Sequence, residues 1–212
     1  MKKELTHEEK KGYKYSSVTT ILGVLRRPAL EFWLKNNTKE FCDAESNRAK
    51  EIGTALHDAI FNHIERTGID TETKYPDEVN ICIQSFMKFK QEHPEIKMIK
   101  SELKIEHPKL KYSGTLDCVA EIDGQPVILD WKSGQYKDKD ELPIYNESLY
   151  QVSAYIKSYE KMFNLKIKKG IVVYFGKDKI GYNFIELDEK KIKKNFEIFK
   201  HCLKIYYLQK KK

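Results

Sequence analysis

The stretch YSGTLDCVAEIDGQPVILDWKSG, Tyr112–Gly134, decides the fold. Asp123-Gly124 separates two runs of alternating apolar residues, the strongest short signal for a two-residue hairpin. With that dipeptide as the turn centre, Ile122 faces Gln125. The same register then sets Asp117 directly opposite Asp130 and Lys132 opposite Thr115. Side chains on a strand alternate faces, so Asp130 and Lys132 share one side and Trp131 takes the other. Directly opposed side chains have Cβ atoms roughly 4.5–5.5 Å apart. Two carboxylates held that close repel each other unless a cation sits between them. A hard divalent ion such as Mg²⁺ suits such oxygen donors. The bland alternative, a solvated Asp130–Lys132 surface pair, fits poorly with opposed acids at the end of an apolar strand.

A third acid is compatible with the same place. If SELKIEH (101–107) pairs antiparallel with YSGTLDCV, a connection from His107 to Tyr112 brings Glu102 level with Asp117. The alternative is an ordinary acid on an exposed strand face.

The rest of the chain frames this hairpin. Its 212 residues, 40% hydrophobic and 12% aromatic, suit one globular domain. The net charge is +7, from 35 lysines and four arginines against 32 acids. Nine of those lysines and only two acids fall between Glu189 and Lys212, so the excess is concentrated in the last segment. Cys42, Cys82, Cys118 and Cys202 stand too far apart for a metal clip, and no secretory signal is visible. The run VTTILGVL ends at Arg26-Arg27 and is too short to span a bilayer. A reduced, intracellular, cytoplasmic protein without membrane contact is expected.

Helical patterns are read from about Thr38 to Arg66, with Gly68 as a stop, and from about Pro76 to Glu92. Ser16 or Ser17 caps a short helix ending before Pro28. Another helix runs from about Glu147 to Phe163, with Asn146 as its cap. GIVVYFG and IGYNFIEL read as strands. Asp188 caps a last helix whose apolar positions are Ile192, Phe196, Phe199, Leu203 and Tyr206. The layout is a mostly helical portion (1–95), a sheet core (96–188) and a basic C-terminal helix (189–212), in one unit. Gly53 lies mid-helix, where glycine costs about 1 kcal/mol relative to alanine, and the expected return is close packing on the sheet.

An acid followed by acid-x-lysine, GTLD then LDWKSG, resembles the PD-(D/E)XK nuclease superfamily in its RecB-like branch. GTALH at Gly53–His57 looks like that branch's upstream histidine motif, and YQVSAY matches its Gln-x-x-x-Tyr motif at Gln151 and Tyr155. The order His57, Glu102, Asp117, Asp130, Lys132, Gln151, Tyr155 is the branch's order. SSVTTIL and the hairpin look closest to the group of the mitochondrial genome maintenance exonuclease and its phage and bacterial relatives. The resemblance covers about residues 15 to 160.

It implies a restriction-endonuclease-like α/β fold, with a central mixed β-sheet flanked by helices and an N-terminal helical portion. It implies a Mg²⁺- or Mn²⁺-dependent deoxyribonuclease, an exonuclease on free ends of single-stranded DNA. A flap endonuclease and a non-catalytic nucleic-acid-binding module are the alternatives, and a pure binder has no use for opposed acids. Asp117, Asp130, His57 and the Trp131 carbonyl would ligate the metal, with Glu102 direct or through water. Lys132 would orient the attacking water or stabilise the charge growing on the phosphate. Gln151, Tyr155, Thr115, Ser133 and Arg48 are candidate DNA contacts, although Tyr155 as core and Arg48 as a solvated residue are the plain readings. Some relatives hold an iron–sulfur cluster with three cysteines after the Gln-x-x-x-Tyr motif; here only Cys202 follows, so no cluster is expected.

The helical portion and the 134–145 loop are expected to wall the cleft into a passage for one strand. Tyr13, Tyr15, Phe32 and Trp33 near its rim could stack on unpaired bases. Phe32 and Trp33 as ordinary core residues are the alternative.

Overall fold

The computed structural model describes residues 15–65, 74–137 and 140–210. In chain order the elements are β1 (Ser16–Ser17), α1 (Val18–Leu22), α2 (Pro28–Lys35), α3 (Lys39–Glu65), α4 (Asp77–Glu92), β2 (Lys97–His107), β3 (Tyr112–Ile122), β4 (Gln125–Gly134), α5 (Asn146–Phe163), β5 (Lys169–Gly176), β6 (Tyr182–Leu187) and α6 (Glu189–Lys210). The sheet is mixed: β3 pairs antiparallel with β2 and β4, β4 parallel with β5, and β5 antiparallel with β6. Helix α5 is the crossover that the parallel pair needs. The expected α/β architecture is therefore present. Among the described residues no helix is long and apolar enough to cross a membrane.

Asp123 and Gly124 both take left-handed φ, 51° and 73°, as a tight hairpin turn demands. The register runs as expected from Ile122–Gln125 to Cys118–Leu129 and then stops. Beyond that point β3 and β4 fork. The start of β3 pairs with β1, at Tyr112 and Ser113, while the end of β4 runs on beside β5. The expected Lys132–Thr115 and Asp117–Asp130 pairings are corrected accordingly: Thr115 pairs with Lys104 of β2, and Asp130 pairs with Val172 of β5, not with Asp117.

Two apolar clusters cover the two faces. Helices α1, α5 and α6 enclose Ile105, Tyr112, Leu116, Ile128 and Val172. Helices α3 and α4 enclose Cys118, Ala120, Leu129, Trp131 and Phe175. Strand β4 alternates as period two requires, with Ile128 in one cluster and Val127, Leu129 and Trp131 in the other. Strand β3 does not. Leu116 and Cys118 are two residues apart yet lie on opposite faces, so the alternation slips at Asp117.

Several local expectations are refined. Ser17 is the cap of α1, its Oγ accepting from Thr20 N at 3.1 Å. Asn146 is not a cap; it is the first residue of α5, and Tyr145 precedes it without a side-chain cap bond. Asp188 Oδ1 does cap α6, accepting from Lys191 N at 2.7 Å. The stop at Gly68 lies outside the described residues. A Cβ on Gly53 would meet nothing within 4 Å, so this glycine does not serve close packing on the sheet. It leaves open space one turn before His57.

Candidate active site

The site forms where β3 and β4 part. At the slip, Asp117 makes no ladder pair with either neighbour, and polar side chains take over. The Trp131 N–H donates to Asp117 Oδ2 at 2.7 Å, and Ser101 Oγ donates to the Asp117 carbonyl at 2.9 Å. On β2, Ser101–Cys118 and Leu103–Leu116 pair on either side of the irregularity, so Glu102 stands level with Asp117, the position with which the connection length is compatible. Glu102 takes φ 52°, a left-handed conformation that costs a non-glycine residue roughly 1–2 kcal/mol. Glu65, two turns beyond His57 on α3, steadies this turn by accepting from Ser101 N at 2.8 Å and from Lys100 Nζ at 2.8 Å. Glu65 was not singled out from the sequence; its helical spacing from His57 was the available signal.

His57, Glu102 and Asp117 converge, with one donor atom of each within 4.8 Å of the others. His57 Nδ1 lies 3.2 Å from Glu102 Oε1 and 3.7 Å from Asp117 Oδ1. Burial alone would lower the His57 pKa. The charge of Asp117 and the hydrogen bond to Glu102 outweigh it and lift the group to about 9. Without a cation a proton on His57 thus supplies positive charge where the acids meet, and a metal bound to that imidazole would displace it.

Asp130 and Lys132 form the other half. The Asp130 carboxylate is fully buried; Oδ2 lies 2.6 Å from Lys132 Nζ, while Oδ1 finds no hydrogen-bond partner among the described residues. Burial foremost, with the neighbouring Asp117 charge, raises the Asp130 pKa, and Lys132 opposes this. For Lys132, burial pulls downward, but Asp130 and Asp117 overcome it and hold the ammonium charged. Lys132 Nζ also donates to the Trp131 carbonyl at 3.2 Å.

This donor set suits a hard divalent cation: one imidazole nitrogen, carboxylates at the fork, and a buried carboxylate oxygen still lacking a partner. Residues 73–204 match the PD-(D/E)XK nuclease superfamily. The chain belongs to this superfamily. Mitochondrial genome maintenance exonuclease 1 of Mus musculus is 30% identical over a region covering 42% of this chain and 30% of that protein. The Homo sapiens protein of the same name is 32% identical, covering 36% and 23%. This chain thus spans under a third of the length of these curated relatives. The crystal structure of a "Putative exonuclease" from Eubacterium rectale shares the fold with a TM-score of 0.57 at 8% identity, over 95% of this chain and 83% of that one.

A cleft of about 770 Å³ opens from Lys132, and of the remaining candidates it takes in Gln151 and Trp33. Gln151 and Ser148 of α5 line it, with Trp33 of α2 and Tyr145 on other walls. Gln151 Nε2 donates to Tyr155 Oη at 3.0 Å, and Tyr155 is buried. Its ring lies against Gly114, where a Cβ would stand 2.6 Å from Tyr155 Cε1. Ser133 lines a separate hollow of about 340 Å³ with Ala49, Tyr136 and Lys177. Arg48 is ion-paired with Glu78 across α3 and α4. Phe32 is 71% exposed and so is not a core residue. The Tyr15 carbonyl accepts from Ser113 Oγ at 2.8 Å, and Tyr13 lies outside the described residues. Helices α3 and α4 cover one sheet face, so only α1 and α2 of the helical portion border the cleft. The four cysteines are free and buried.

The left-handed turn at Glu102 gives a separable expectation. Glu102→Gly keeps the turn while removing its strain and one carboxylate. Folding stability is expected to hold or rise by up to about 1 kcal/mol, because glycine's larger unfolded entropy offsets part of the relief. Mn²⁺ affinity should fall. Thermal unfolding and titration calorimetry read the two effects; a marked loss of stability would show that the carboxylate, not the turn, holds this part of β2.

Proposed function

We propose that the protein is a metal-dependent deoxyribonuclease that degrades single-stranded DNA from free ends. The observation that carries the reading is the fork itself, where His57, Glu102 and Asp117 meet beside the buried Asp130–Lys132 pair. His57, Glu102, Asp117 and Asp130 would hold Mg²⁺ or Mn²⁺. When bound, the ion polarises the phosphodiester and lowers the pKa of water.

The chain's own groups do the rest. Asp130 and Asp117 keep Lys132 protonated, so this side chain acts through charge rather than as a base, stabilising the growing negative charge at the phosphate. Lys132 opens onto the cleft and is the group through which a bound strand meets the acids. Gln151, tied to Tyr155, forms the wall beside it and can donate to a phosphate oxygen. No iron–sulfur cluster takes part in this reading.

The test compares one sequence as linear and as circular single-stranded DNA, beside its duplex, with Mg²⁺, with Mn²⁺ and with chelator. Rapid loss of the linear strand alone, and only with metal, is the expected result. Equal loss of the circular strand would replace exonuclease with endonuclease, and binding without any cleavage would reject the enzyme.

A further inference from the structure

Helix α2, PALEFWLK, is mostly apolar, yet none of its residues is buried. So short a helix gains little by itself and normally persists by packing an apolar face. Leu30, Phe32 and Leu34 instead stand exposed, and Trp33 turns toward the cleft. The cleft mixes aromatic and cationic side chains: Trp33, Arg26 and Arg27 on one side, Lys132, Lys137 and Tyr145 on the other. Among the described residues its one acid, Glu147, is occupied, 3.3 Å from Arg27 Nε. Tyr145 is half exposed, with Lys137 Nζ 5.8 Å from its ring centroid and the Tyr174 ring 6.1 Å away. Trp33 is backed by Phe41, whose ring centroid lies 6.1 Å from its own.

We propose that Trp33 and Tyr145 are base-stacking residues that receive unpaired bases of a DNA strand whose phosphates lie along Arg26, Arg27, Lys137 and Lys132. The proposal rests on the single-strand reading above and adds the site that selects for it. Aromatic faces take any base, and neighbouring cations follow the backbone. A duplex keeps its base faces covered, so it gains only the phosphate part. Leu30 and Trp33, the large apolar residues of α2 that border the cleft, then have an occupant, the strand itself.

The experiment uses the full chain in chelator, so that binding is read without cleavage. A short oligothymidylate, an abasic strand of equal length and a blunt duplex are titrated, with anisotropy reporting binding and tryptophan emission reporting stacking. The chain has two tryptophans, and Trp131 is buried among Phe86, Phe89 and Phe175, so a quench reports Trp33. Oligothymidylate should quench; the abasic strand and the duplex should not. Trp33→Leu should abolish the quench and weaken oligothymidylate binding roughly five- to a hundredfold, with Trp33→Tyr restoring most of the affinity and Tyr145→Leu weakening it similarly. Equal quenching by the abasic strand, or tight oligothymidylate binding without a quench, would overturn the proposal. A protein that cleaves yet shows no quench loses this site and keeps its function. One that is quenched yet never cleaves with metal keeps the site and loses the enzyme.

Discussion

Asp117→Asn and Lys132→Met should each abolish cleavage, but only the first should abolish metal binding. Asp117 joins the acids around His57 and lies beside the buried Asp130, so on the proposed reading its loss removes a ligand. Lys132 brings positive charge to the same place, so its loss should leave Mn²⁺ affinity equal or higher while cleavage falls about a hundred- to a thousandfold or more. Asp130→Asn should behave as Asp117→Asn does. Its fold should survive, since the Lys132 side chain keeps 26% of its exposure, opens onto the cleft and stays hydrated without its partner. Single-turnover cleavage, Mn²⁺ calorimetry and thermal unfolding on the three variants decide the matter. Near-normal cleavage by folded Asp130→Asn, or loss of metal binding in Lys132→Met, would overturn these roles.

The second large effect is expected at Gly114. Its Cα lies beneath the Tyr155 ring, and an added methyl would stand 2.6 Å from Cε1. Neither side can give easily, because Gly114 sits in β3 beside β2 and Tyr155 is buried in α5. Gly114→Ala should cost about 1–3 kcal/mol, the usual range for overpacking. It should also disturb Gln151, whose side chain is anchored on the Tyr155 hydroxyl. Tyr155→Leu in the same chain should return part of the stability but not the anchoring of Gln151. Denaturant unfolding of the two singles and the double separates these outcomes; additive losses would show that Gly114 and Tyr155 do not press on each other.

Those contacts show what could be read from the sequence and what could not. The hairpin register was legible because Asp123-Gly124 permits two consecutive left-handed residues, which fixes the pairing by counting as far as Cys118–Leu129. For Glu102 the sequence showed only that a connection from His107 to Tyr112 is compatible with a place level with Asp117, which the β2–β3 register has. The slip at Asp117 was hidden, because a left-handed glutamate follows from tertiary surroundings and leaves no mark in the apolar pattern. The fork was hidden for the same reason: hairpin counting continues until a competing partner, here β1 and β5, captures each strand. Arg26, Arg27 and Tyr145 went unnoticed as cleft residues, since only the approach of α2 to α5 brings them together. The motif glycine Gly53 misled, because helix position says that glycine is costly without saying what fills the space.

The hydrogen bond between the Trp131 amide and the Asp117 carboxylate also makes this amide a spectroscopic gauge. Its neighbours in β4 donate to neutral carbonyls, whereas this proton faces a charged oxygen at 2.7 Å. A cation drawing on the same carboxylate must weaken that bond. Metal titration followed by amide proton resonances should therefore move the Trp131 signal upfield and leave those of Val127 and Leu129, deeper in the hairpin, nearly still. Occupancy of the fork could then be followed in a protein whose cleavage has been disabled at Lys132, with no substrate present.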